Sequence, residues 1–185
     1  MTKSRHICMF LFLIFFSSCK ISKTVAIPSD VNTKLNAEYQ KSKKAFTGKL
    51  SSSEYLELKK QIEKELNTDI PDGKSILVNY HQKGPNCISM RFKKQYIERG
   101  VKSSQNICSN NNTLGFFVFA KNTLNKALYL RYPIFKLDSG FFYDNVFTLH
   151  ENCSAFLIIK ANRNFLKYYG EDYSDEIRGF LEKNN

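Results

Sequence analysis

Apolar positions fall into one unbroken run near the start of the chain and then into shorter, periodic groups. Residues 7–16 are apolar without interruption and follow a short basic start containing Lys3 and Arg5. Residues 20–33 read as a polar tether with Pro28 and no apolar period. A helix is expected over 34–46. Ser51 and Glu54 then stand at capping-box spacing, and Tyr55, Leu58, Ile62 and Leu66 recur at three- and four-residue intervals. That spacing predicts a second helix whose apolar stripe is core.

Beyond a turn at 70–74, containing Pro71, Asp72 and Gly73, the period changes. Residues 75–80 are a short run of apolar and β-branched side chains, which predicts a buried strand. Residues 88–99 fit a helix with Ile88, Phe92 and Tyr96 on one face, closed by Gly100. A polar loop is expected over 105–113, a second buried strand over 115–120, and 123–131 fit no single element. Residues 155–160 and 165–169 read as strands joined by a turn at 161–164. Gly170 ends the pair, and Ser174 is expected to cap a last helix with Asp175 and Glu176 in its first turn and Ile177, Phe180 and Leu181 facing inward. Strands alternating with helices predict an α/β domain.

The start of the chain changes this picture most. A basic beginning, about ten apolar residues and small residues after them are the parts of a secretory signal, and the run is about half the length that spans a bilayer. Phe16-Ser17-Ser18-Cys19 resembles the bacterial lipobox, although Leu is usual where Phe16 stands. The resemblance implies that Cys19 becomes the acylated first residue of the mature protein. The plainer reading is an ordinary cleaved signal followed by a cysteine. The expected organisation is a signal at 1–18, a lipidated tether at 19–33, N-terminal helices at 34–70 and a main domain at 71–185. The place implied is a bacterial cell envelope, with the protein anchored to a membrane on its periplasmic or surface face.

Charge and cysteines narrow the chemistry. The net charge is +11, and the signal removes only Lys3 and Arg5 from it. Export argues against nucleic acid as a partner, so the basic surface serves solubility or meets anionic lipid headgroups. Of five cysteines, Cys8 leaves with the signal and Cys19 is the acylation candidate. Cys87, Cys108 and Cys153 belong to the folded part. Two can pair in an oxidising compartment, which leaves one over. No Gly-rich phosphate loop, G-x-S-x-G elbow or H-E-x-x-H is present. Glu171, Asp172, Asp175 and Glu176 are explained by a helix start, and the Phe and Tyr groups at 141–147 and 165–169 by a core.

Taken in order, residues 73–183 resemble the thioredoxin fold, and among its members the envelope-anchored thiol oxidoreductases of bacteria. Gly73-Lys74-Ser75-Ile76-Leu77-Val78-Asn79-Tyr80 is similar to their first core strand, and Phe116 to Asn122 to the second. Tyr132 to Asp138 resembles the segment leading to a late Asp and Gly, Ser154 to Ile159 the strand after the cis-proline, and Phe165 to Gly170 the closing hairpin. The implied fold is a three-layer thioredoxin-like domain preceded by the N-terminal helices.

The departures bear on function. The family's Cys-x-x-Cys turn reads His81-Gln82-Lys83-Gly84-Pro85-Asn86-Cys87 here, with one cysteine, and Cys153 stands at the place of the cis-proline. Exchange within one motif is therefore unavailable. The resemblance implies that Cys87 and Cys153 share a face, as a structural disulfide or as a redox pair with Cys87 attacking and Cys153 resolving. Cys108 is the candidate free thiol, or a partner of either. His81 and His150 lie close in sequence to those cysteines, and two imidazoles with two thiolates would suit zinc or copper. The expectation is a non-catalytic binding or scaffold domain without a cofactor, acting on an unknown envelope protein. A thiol-disulfide oxidoreductase and a metal carrier are the alternatives.

Overall fold

The computed structural model describes residues 28–91, 94–171 and 173–183. The signal at 1–18 with Cys8, the acylation candidate Cys19, most of the tether, Phe92 and Asp172 lie outside the described residues. Among the described residues, no helix is long and apolar enough to cross a membrane.

A short helix α1 (Ala37–Ser42) leads into strand β1 (Lys44–Lys49) and helix α2 (Ser52–Leu66). Strand β2 (Ser75–His81), helix α3 (Lys94–Asn110) and strand β3 (Thr113–Phe119) follow, then a single turn α4 (Lys126–Tyr129) and strand β4 (Phe135–Leu137). Strands β5 (Ser154–Ile159) and β6 (Asn164–Tyr169) form a hairpin ahead of helix α5 (Ser174–Glu182). The six strands make one mixed sheet in the order β1-β6-β5-β2-β3-β4. β2, β3 and β4 are parallel, while β2–β5, β5–β6 and β6–β1 are antiparallel. The α/β class is therefore correct.

Helices cover both faces of the sheet, which explains why β5 is buried at every position rather than at alternate ones. On one face Ile76, Val78, Tyr80, Val118, Leu157 and Ile159 pack with Ile62 and Leu66 of α2 and with Phe142, Val146 and Phe147. The Ser51–Glu54 capping box of α2 is complete. Phe142–Val146 is a π-helical turn. Asp138 organises it, accepting hydrogen bonds from the backbone N–H groups of Gly140, Phe142 and Tyr143 and from the Tyr80 hydroxyl. On the other face Leu77, Phe156 and Ile158 pack with Ile107 and Cys108 of α3 and Ile177 of α5.

Four expectations fail: the single helix over 34–46, the helix over 88–99, the loop over 105–113 and the Ser174 cap. Residues 34–46 are not one helix: α1 ends at Ser42, and β1 pairs with β6 from Lys44↔Tyr169 to Lys49↔Asn164. Segment 34–70 is thus helices plus a strand of the main sheet. β1 is an exposed edge strand with lysines, Gly48 and no alternating pattern, so nothing in its side chains announces it. The helix expected at 88–99 is a 3₁₀ turn, Ile88–Arg91, followed by α3, which passes through Gly100 and the supposed loop at 105–110. A mid-helix glycine costs only about 1 kcal/mol, and Ile97, Val101, Ile107 and Cys108 carry the apolar stripe past it. The ambiguous stretch 123–131 contains α4. Finally, Ser174 is the first helical residue rather than the cap. Tyr173 holds the cap position without a side-chain capping hydrogen bond, and Asp175 and Glu176 meet the helix dipole.

Candidate functional site

β2 and β5 are adjacent and antiparallel, with His81 opposite Ser154. The chain leaving β2 and the chain entering β5 therefore run side by side at the same end of the sheet. Cys87 and Cys153 sit on these two segments with Cα atoms 4.9 Å apart and Sγ atoms at bonding distance, 2.11 Å, as a disulfide. The two segments approach so closely that a Cβ on Gly84 would fall 2.7 Å from the Asn152 carbonyl carbon.

Amide side chains lace this region together. Gln82, fully buried, donates through Nε2 to the carbonyls of Leu149 and Asn152, both at 2.9 Å. Asn32, Asn86 and Asn152 are joined by successive backbone bridges, and the Cys87 N–H donates to the Asn32 carbonyl at 2.8 Å. Asn152 exchanges hydrogen bonds with Ser42, donating to its carbonyl and accepting from its hydroxyl, both at 2.8 Å. The Tyr39 hydroxyl accepts from the Glu171 N–H at 2.8 Å. Residues 32–42 thus form a strap over the disulfide, whose cysteines are 1% and 3% exposed.

Glu171 lies just past β6, beside the disulfide. A carboxylate oxygen and the two Sγ atoms are all within 4.8 Å of one another. Oε2 accepts from the Ser89 N–H. Oε1 is buried and has no hydrogen-bond partner among the described residues. Burial pushes the carboxyl up to about 7, against the opposing hydrogen bonds from Ser89 and Ile88.

Glu171 also lines a cavity of about 180 Å³ between the sheet, α3 and α5. Ile97, Val101, Phe117, Tyr129, Phe135 and Ile177 supply apolar wall, while Asn79, His81, Ser154 and Tyr173 supply polar atoms. Tyr173 donates to Asn79 Oδ1 at 3.3 Å, and Asn79 donates to Ser104 Oγ and the Phe116 carbonyl, both at 3.2 Å.

The residues singled out from sequence are only partly brought together. His81 faces the cavity, stacked on Tyr129 with ring centroids 4.9 Å apart and its Nδ1 3.1 Å from Ser154 Oγ. Burial lowers it to about 4, so it is neutral at physiological pH. His150 is elsewhere, stacked on Tyr143 at 3.9 Å with Nδ1 donating to Gln82 Oε1 at 2.9 Å, and burial lowers its pKa as well. Neither imidazole belongs to the cluster of Cys87, Cys153 and Glu171, which is the one group of potential metal ligands among the described residues. With its two sulfurs bonded to each other, that cluster offers a metal one carboxylate and no thiolate.

Cys108 is not on a loop. It is a buried free thiol on α3, raised to about 11 by burial and packed so closely on Gly115 that a Cβ there would sit 2.7 Å from its Sγ. Sequence reasoning passed over Glu171 because an acidic residue near a helix start has a sufficient local explanation. Only its placement beside the disulfide sets it apart from Asp175 and Glu176. The chain matches no protein-family model, no curated protein and no solved structure.

Proposed function

We propose that this chain is an envelope lipoprotein, held on a membrane through an acylated Cys19, whose folded part is a thioredoxin-like binding domain without a dithiol site. In this reading the ligand occupies the cavity between the sheet, α3 and α5, and the Cys87–Cys153 disulfide is a clamp. The strand order β4-β3-β2-β5-β6, with three parallel strands and a closing antiparallel hairpin, is compatible with the thioredoxin-like part.

The observation that carries the proposal is the strap. Thiol–disulfide exchange requires an attacking thiolate to reach a sulfur, and residues 32–42 cover the bond with a set of buried hydrogen bonds. The cavity beside it is open to occupation by a ligand and mixes apolar wall with a few convergent polar groups, the usual make-up of a small-molecule site. The Glu171 carboxyl beside both sulfurs is the one feature favouring an oxidoreductase, since it stands where a proton would be exchanged with a leaving thiolate.

Thiol mapping by mass spectrometry during graded reduction of the native protein tests the two readings. A clamp resists reductant until the protein unfolds. Rapid reduction of the folded protein to a single reactive Cys87 would replace the binding proposal with the oxidoreductase. The mass of the N-terminal peptide reports whether Cys19 carries acyl chains.

A further inference from the structure

We propose that the cavity beside the disulfide is a binding site for a small organic ammonium ion, its charge held by Glu171 and its apolar part by Tyr129, Phe135 and Ile177. The inference rests on the reading of the cavity as the ligand site and names the ligand class.

The first argument is an unfilled valence. A buried carboxylate is costly unless it is paired and hydrogen-bonded. Glu171 has one oxygen engaged by the Ser89 N–H and the other without a partner among the described residues. No described Lys or Arg acts on it. The nearby imidazole of His81 is neutral and already engaged with Ser154 and Tyr129. A cation in the cavity that Glu171 borders would offset the charge of its carboxylate.

The second argument is the wall. Tyr129 stacks on Phe135 with centroids 4.6 Å apart, and Phe117 lies 5.5 Å from Phe135, so aromatic surface lines the space that Glu171 borders. Aromatic faces attract organic cations, most strongly where water is excluded. An anion would meet the carboxylate and be repelled. The volume sets the size. About 180 Å³ is somewhat more than the roughly 150 Å³ cavity that holds benzene, which fits one ring or a short chain bearing an amino group.

The titratable groups facing Glu171 fix the pH behaviour. They are His81 from β2, Tyr129 from α4, Tyr173 ahead of α5 and Tyr39 from α1, whose hydroxyl accepts from the Glu171 N–H. Burial above all, with the Glu171 charge adding, raises Tyr129 and Tyr173, so they stay neutral. Ammonium binding therefore draws on the ionised form of Glu171 and weakens as that group is protonated.

Isothermal titration of the full chain in detergent, disulfide intact, tests this with benzylamine, its neutral analogue benzyl alcohol, and benzoate. Benzylamine is expected to bind at pH 8 about tenfold or more tighter than benzyl alcohol, with benzoate silent. Its affinity should fall about tenfold or more by pH 5 in the unaltered protein, while that of benzyl alcohol holds. Glu171→Gln should reproduce the same selective loss at pH 8. Equal affinities for benzylamine and benzyl alcohol, or benzylamine binding that ignores both pH and Glu171→Gln, would overturn the ammonium assignment and leave a neutral-ligand cavity. Binding of none of the three would overturn the assignment and the cavity reading together.

Discussion

The two faces of the sheet are built from the same strands and differ in what they leave over. On the face covered by α2, side chains from β2, β3 and β5 meet Ile62, Leu66 and Phe147 in one continuous apolar cluster. Its main polar insertion, the Tyr80 hydroxyl, is satisfied by Asp138. On the face covered by α3 and α5 the apolar contacts divide into two clusters, one around Leu77, Phe156 and Ile177 and one around Phe119, Tyr129 and Phe135. The cavity, Asn79, His81 and Glu171 lie along this face. The first face carries stability, while the second gives up packing and retains a carboxyl with one oxygen unpartnered among the described residues. That division is what a binding site on a stable platform requires.

The largest expected effect breaks the comparison at its packed side. Phe147→Ala removes a fully buried ring stacked on Tyr80 at 4.5 Å and should cost about 4 kcal/mol of unfolding free energy. Val101→Ala, on the cavity wall, should cost about 1 kcal/mol, because its neighbours already border empty space. Denaturant titration of both variants checks the contrast. Equal losses would mean that the two faces are packed alike.

Gly84→Ala probes the clamp at the end of the sheet. Its new Cβ would meet Asn152 backbone at 2.7 Å, where no side chain can move aside, so a loss of about 2 to 3 kcal/mol is expected. Gly100→Ala, with open space around it on α3, should instead stabilise slightly, by about 0.5 to 1 kcal/mol. Thermal unfolding of the pair, with the disulfide intact, reads the difference.

The smallest effect lies in the pH dependence of the second face. Glu171 is raised to about 7 from 4.5, so its contribution to stability is present below pH 4.5 and lost as pH rises through 7. His81 is lowered to about 4 from 6.5, so its contribution is present above pH 6.5 and lost as pH falls through 4. Between pH 4.5 and 6.5 the two slopes oppose each other, and the unaltered protein should show a nearly level profile. Glu171→Gln should leave a profile rising by about 1 to 2 kcal/mol over that window, and His81→Gln a falling one. Stability measured by urea titration at several pH values checks both signs.

Elements with a strong internal signature were legible in the chain. The Ser51–Glu54 box and the Tyr55–Leu66 stripe mark α2 because the capping and packing groups all lie within its own helix. β2, β5 and the end of β3 show as apolar runs because they are buried on both faces. β1 was illegible because its strand character comes from hydrogen bonds to β6, while its own side chains are exposed. The C-terminal half of α3 was hidden by Gly100 and by polar residues on its outer side. His81 and His150 looked like a pair because both stand near cysteines in sequence, yet His81 faces the cavity and His150 packs on Tyr143.

By itself the sequence determined the α/β class and the order of most core elements, because capping pairs and apolar periods are local properties of the chain. It also raised the signal, the lipobox resemblance and the cysteines as matters of chemistry. Tertiary structure alone decided that the exit of β2 and the entry of β5 meet, that residues 32–42 cover the disulfide there, and that Glu171 stands beside it facing a cavity. Those outcomes depend on strand pairing between residues far apart in the chain, and on what each buried polar group finds as a partner once the sheet has closed.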